Sequence, residues 1–140
     1  MQYKFLPHTA DAKFQAFGKT LEEAFKNAAY AMTDIITNHK KVKAKVKETI
    51  KIKSENKEAL LYDFLEKFLF LLDTKGFLLS KIKEIKIQEK DHLLILKASL
   101  SGDNHPENYE TKTTIKAVTY GEMFIKKEKG RFVLQVIVDI

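Results

Sequence analysis

An acidic residue next to the last position of a hydrophobic run is a chemically loaded arrangement. The segment from Phe132 to Ile140 reads as a core strand carried to the end of the sequence, with Asp139 beside Ile140. Domain ends are usually frayed and polar. If the chain stops there, the Asp139 carboxylate and the Ile140 α-carboxylate stand on adjacent residues of a rigid strand. Two like charges held together must be offset or driven apart, and a bound cation is the simplest way to hold them. A donor set made of carboxylates and backbone carbonyls suits a hard cation, and a loose arrangement fits calcium better than the strict octahedron of magnesium. Zinc is disfavoured, because the chain has no cysteine and its histidines are scattered. His39, His92 and His105 fall in expected loops, and His8 has no second histidine at ligand spacing.

Two further groups are ambiguous when read from the residues. Asp11 follows Pro7-His8-Thr9-Ala10 and precedes Phe14 and Ala16, near the start of a short strand. The local reading is that it caps that turn. Lys116 shares a strand face with Lys112, Thr114 and Val118 if residues 111–118 form a strand. A lysine there is ordinarily solvated, and it gains interest only beside the aspartates.

The elements that must position these groups can be read from periodicity. Thr20 and Glu23 have capping-box spacing, and Leu21, Ala24, Phe25, Ala28, Met32, Ile35 and Ile36 follow at helical intervals. A second helix is expected over about residues 55–75, with Leu61, Phe64, Leu65, Phe68 and Leu72 as its main stripe and Gly76 as its terminator. Val42, Ala44 and Val46, then Ile50 and Ile52, alternate with lysines as in a half-buried strand. Ile85 and Ile87, and then Leu94, Leu96 and Ala98, indicate two strands meeting near Lys90-Asp91. Segments 111–118 and 123–127 follow as strands, and Gly130 turns the chain into the last one. Two helices, over about 20–38 and 55–75, with seven or eight mostly hairpin-connected strands give a single α+β domain over 1–140, with antiparallel sheets packed against the helices.

Composition narrows the function classes. At 140 residues, 44% hydrophobic and 31% charged, the chain can bury one core and is not disordered. The absence of cysteine removes disulfides and thiolate chemistry. The apolar stretch from Leu60 to Leu72 is interrupted by Tyr62, Asp63, Glu66 and Lys67, so a bilayer span is not expected, and a cytoplasmic protein is. The net charge of +6 favours anionic partners. Lys40, Lys41, Lys43, Lys45, Lys47, Lys51 and Lys53 would form a basic face without aromatic residues for stacking. The plainer reading is a solvated strand face that discourages edge pairing.

Five stretches, in order along the chain, resemble the archease family: His8-Thr9-Ala10-Asp11, residues 17–29 (FGKTLEEAFKNAA), residues 58–76 (EALLYDFLEKFLFLLDTKG), residues 116–123 (KAVTYGEM) and the final Val138-Asp139-Ile140. Lys13 and Gly121 depart from the pattern, which often carries glycine and histidine there. The resemblance implies a protein cofactor, not an enzyme. Such a protein promotes guanylylation and multiple turnover of the RNA-splicing ligase that joins transfer-RNA halves. It implies a metal site at Asp11, Asp139 and Ile140, most simply calcium, and an activation-linked set of Asp11, Lys116 and Asp139. A general protein chaperone or modulator, and an RNA-binding module, are the alternatives. An independent metal-dependent hydrolase is disfavoured, since no nucleophile–base pair or phosphate loop is evident.

Overall fold

The computed structural model describes residues 1–7 and 11–140, so the expectations for His8, Thr9 and Ala10 fall outside the described residues. The elements run β1 (Tyr3–Leu6), β2 (Asp11–Gly18), α1 (Leu21–Ile36), β3 (Val46–Ser54), α2 (Lys57–Lys75), β4 (Leu78–Lys90), β5 (Leu93–Asp103), β6 (Ala117–Glu128) and β7 (Arg131–Asp139). All strand pairings are antiparallel. One sheet has the order β1-β2-β7-β6 and the other β3-β5-β4. Each helix packs against strands of both sheets, so the helices lie between them. This is the α+β arrangement of two helices and antiparallel sheets that the periodicity implied.

Local chemistry explains the helix ends. The Thr20 hydroxyl accepts from the Glu23 N–H at 3.1 Å, and the Asn56 side chain accepts from the Ala59 N–H at 2.8 Å. At the end of α2, Gly76 takes φ 66°, and the N–H groups of Gly76 and Phe77 donate to the Leu72 and Leu71 carbonyls. Gly18 has a different reason to be glycine. A Cβ there would collide with the backbone of Ala24, so the first turn of α1 could not cross the end of β2. Asn27 locks the same junction by donating from Nδ2 to the Phe17 carbonyl at 2.7 Å.

The core is made by α1 and α2 facing alternate strand positions. Phe14, Phe25, Phe64, Leu61, Leu65 and Leu134 are fully buried, and the Phe25 and Phe64 rings meet with centroids 5.7 Å apart. On β7, Leu134, Val136 and Val138 enter this core. Val133, Gln135, Ile137 and Asp139 alternate onto the outer face of the four-stranded sheet.

Three local expectations are corrected. The chain does not form a strand over 42–45: a 3₁₀ turn at His39–Lys41, begun by the Asn38 side chain, leads into residues without ladder pairing, and the β3 ladder begins at Val46 opposite Gly102. Residues 111–116 are likewise outside the ladder, and the chain at Glu110 and Lys112 is tied to the end of α1 instead. The Lys112 N–H satisfies the Ile36 carbonyl at the end of α1, and the Thr37 hydroxyl donates to the Glu110 carbonyl. The end of the strand expected over 111–118 and the strand expected over 123–127 are one strand, β6, with a register break between Thr119 and Phe124.

His39 is also not a loop residue exposed to water. It is buried, with its ring stacked 4.7 Å from Tyr30. Neither ring nitrogen has a hydrogen-bond partner. Burial therefore holds its pKa below the ordinary 6.5, outweighing the pull of Asp34. The folded protein binds this proton less well than the unfolded chain does. The stability it contributes is present above about pH 6.5 and is lost as the pH falls toward the folded value.

Two outcomes are expected. Thermal melts between about pH 7 and pH 5 should show stability falling in the native protein, and His39→Phe, which keeps the stack and removes the titration, should flatten that slope. Gly18→Ala should lower stability by about 2 kcal/mol or more in denaturant titrations, as a backbone collision in a packed junction requires.

Candidate activation site

The two aspartates singled out at opposite ends of the sequence are direct neighbours. In the β2–β7 ladder Asp11 stands opposite Asp139, and the next pair, Ala12 and Val138, turns the other way. Val138 is fully buried in the core, so both aspartate side chains leave the sheet on its outer face. Directly opposed residues have Cβ atoms about 5 Å apart, within reach of a shared cation. Both aspartates are half-buried.

Lys116 is brought to the same end of the sheet through its backbone. Its N–H donates to the Asp139 carbonyl at 2.7 Å, one residue before β6 begins. On β6 it is Ala117 that pairs with Asp139. Lys116 precedes the strand and is exposed. Its ammonium joins the carboxylates only by reaching round the end of the sheet. Ile140 follows β7 and keeps 37% of its surface exposed.

The sequence did not single out the positive charge built into the carboxylate face, which is Lys13. It lies two residues from Asp11 on the same side of β2, opposite Ile137, and its ammonium sits 3.0 Å from the Glu122 carboxylate. Its side chain is only 16% exposed. The four residues between Thr119 and Phe124 leave the β6–β7 register and carry Glu122 there, with φ 51°. Gln135 fixes that segment from below, donating from Nε2 to the Glu122 carbonyl at 2.9 Å, while its Oε1 accepts from Gln15 at 2.9 Å. The Thr119 hydroxyl donates to the Ile137 carbonyl and accepts from the Gly121 N–H. A lone glutamine in an otherwise apolar strand was the available signal for this network. Thus Lys13 and the neighbourhood of Gly121, the two departures from the family pattern, are joined through Glu122.

Glu66 of α2 is a second group that sequence reading passed over. Its carboxylate accepts the Val118 N–H at 3.0 Å, anchoring the start of β6 to the helix. Beyond it, Tyr120 stacks on Tyr62 of α2 with centroids 4.4 Å apart. Both contacts hold the strand that follows Lys116.

Among the described residues, the donors at this end of the sheet are oxygens: two carboxylates and main-chain oxygens. Oxygen donors of this kind fit a hard divalent cation. Among the described residues, no three His, Cys, Asp or Glu side chains gather into a metal-holding group. A cation here would rely on main-chain oxygens, water or a partner to complete its shell. Among the same residues, no helix is long and apolar enough to cross a membrane.

Comparison with known proteins places this architecture. The family described as the Archease protein family matches residues 3–140. The chain is 40% identical over 141 residues to protein archease of Pyrococcus furiosus, covering 99% of each. It is 41% identical over 138 residues to protein archease of Methanothermobacter thermautotrophicus, covering 99% of this chain and 98% of that one. Among solved structures, the solution structure of Methanobacterium thermoautotrophicum protein 1598 aligns with a TM-score of 0.88 at 40% identity, over 99% of both chains. A Thermotoga maritima archease, described as a possible chaperone, aligns with a TM-score of 0.58 at 16% identity over 98% and 96% of the two chains, a likeness of fold alone. With the family matched from Tyr3 to Ile140, and with close relatives aligned over nearly their whole length, this chain belongs to the archease family.

Proposed function

We propose that this protein is an accessory factor of an RNA-splicing ligase, promoting transfer of GMP onto the ligase's active-site histidine and repeated turnover in the joining of transfer-RNA halves. It completes no reaction alone. The observation that supports this reading most is the register of β2 with β7, which sets Asp11 opposite Asp139 on one outward face beside the Lys116 backbone. Asp11, Asp139 and a main-chain oxygen of Ile140 would hold one divalent cation, most simply calcium, supplying positive charge near a transferring phosphoryl group.

The chain's own contribution is positional. Guanylyl transfer depends mainly on alignment and on charge stabilisation of the triphosphate and the leaving pyrophosphate. Carboxylates fixed on paired strands can be presented to a partner's active site without an ordering cost. The Lys116 ammonium, exposed and tethered by the backbone bond to Asp139, is free to meet a phosphate oxygen. Lys13, held by Glu122, moderates the negative charge of the same face.

Two measurements test this. Calorimetry with calcium should give one binding site in the native protein and none in Asp139→Ala; identical isotherms would remove the metal from the proposal. With a matched ligase and GTP, Asp11→Ala, Lys116→Ala and Asp139→Ala should keep the circular dichroism of the native fold and slow GMP-adduct formation about tenfold or more. Normal activation by all three variants would make the cluster structural. A chaperone-like modulator, the description attached to the Thermotoga maritima protein, predicts a different pattern, in which the same variants still keep the ligase soluble and active.

A further inference from the structure

The outer face of the three-stranded sheet carries a charge arrangement that the fold does not need. In the β3-β5-β4 ladder, Lys51 stands opposite Lys97, and Lys97 stands opposite Lys86, so three ammonium groups form one row straight across the sheet. Like charges directly opposed destabilise a sheet, and these lie within the screening distance of physiological salt. Lys47 and Lys53 share the face on β3, and Lys90 closes it at the end of β4. Among the described residues, only Lys86 of these six has a carboxylate partner, Glu84 at 3.3 Å, and both of those side chains are more than half exposed. Lysines on edge strands guard against edge pairing, which accounts for those of β3 and β4. It does not account for Lys97, because β5 is the central strand.

We propose that this face binds a nucleic-acid strand through its phosphates. A polyanion laid along the row turns the repulsion among Lys51, Lys97 and Lys86 into attraction and releases condensed counterions. A hollow of about 260 Å³ between Lys51, Lys53, Lys90 and Lys97 gives sugars an apolar surface at Ile95, and its four ammonium groups outnumber its one carboxylate, Asp91. The face carries no aromatic residue, so the contact is with the backbone and not with stacked bases. The large exposed apolar side chains, Met1, Phe5, Phe70, Tyr120 and Ile140, all lie elsewhere. That argues against membrane insertion, and against a protein interface, which gathers aromatic and arginine anchors. The lysine face and the Asp11–Asp139 face are the outer surfaces of two sheets separated by the helices, so the two contacts do not compete. The inference is independent of the ligase reading.

The test is a fluorescence anisotropy titration of single-stranded RNA and DNA oligonucleotides at several salt concentrations. Binding should weaken with salt with a log–log slope of about −2, as expected for three phosphates on a single strand. The triple variant Lys51→Gln, Lys86→Gln, Lys97→Gln should bind at least about tenfold more weakly and show a flatter slope. It should also melt at a higher temperature than the native protein in low salt, since the repulsion is gone. A control triple with the same change in formal charge, Lys19→Gln, Lys40→Gln, Lys129→Gln, should bind nearly as the native protein does. Absence of binding, equal loss in the control, or equally tight binding of polyglutamate or anionic vesicles through the same lysines would overturn the proposal. The row variant should still stimulate guanylylation, and Asp139→Ala should still bind the oligonucleotide, so that failure of either idea is visible separately.

Discussion

Eight consecutive residue pairs, from Gly18 opposite Phe132 to Asp11 opposite Asp139, tie the beginning of the chain to its end. The rest of the molecule depends on that pairing. It places β7 between β2 and β6, and so makes one four-stranded sheet out of segments more than a hundred residues apart. It delivers Leu134, Val136 and Val138 to the helices, and sends the alternate residues to the opposite face. Closing so long a loop costs chain entropy that only the completed core returns. The candidate site sits on the last rung of this ladder and exists only when the whole domain has folded.

The helices serve as the common filling of two sheets. A helix with one apolar stripe can cover one sheet, whereas α2 buries Leu60, Leu61, Phe64, Leu65, Phe68, Leu69 and Leu71 on a broader arc. That width lets it meet β3 on one side and β6 on the other. Small residues do the corresponding work in α1, where Ala24, Ala28, Ala29 and Ala31 are fully buried and allow close approach. A consequence is that the outer faces of the sheets point away from each other. One face carries paired carboxylates with a single well-buried lysine, and the other carries a row of ammonium groups. A basic protein can thereby present a local acidic site and a local basic surface without the two neutralising each other.

The chemistry of the carboxylate face is governed by geometry more than by unusual side chains. Asp11, Asp139 and Lys13 are ordinary residues whose meaning comes from sharing one side of two paired strands. The register break in β6 adds Glu122 over that surface, and buried Gln135, itself bonded by Gln15, holds it through one hydrogen bond to the Glu122 carbonyl.

The sequence by itself determined the elements whose signals are local. Thr20 caps α1 through an atom three residues away, Gly76 stops α2 because a left-handed residue is needed there, and alternating Val and Ile mark strands. These are short-range effects, so periodicity finds them. The Asn56 cap of α2, one residue past the expected start near 55, came from the structure. Family likeness in the sequence named Asp11, Lys116 and Asp139 together, but nothing local could say that they meet. Tertiary structure decided that Asp11 faces Asp139, that Lys116 enters by its backbone, and that Lys13 supplies the buried charge. It also decided where strands fail. Residues 42–45 and 111–116 alternate or carry strand-forming residues, yet the Val42 N–H goes to the 3₁₀ turn, the Lys43 N–H to the Tyr109 hydroxyl and the Lys112 N–H to the end of α1. Hydrogen bonds made to distant partners leave no trace in local spacing, and that is why the row of Lys51, Lys97 and Lys86 also became visible only once β3, β5 and β4 were laid side by side.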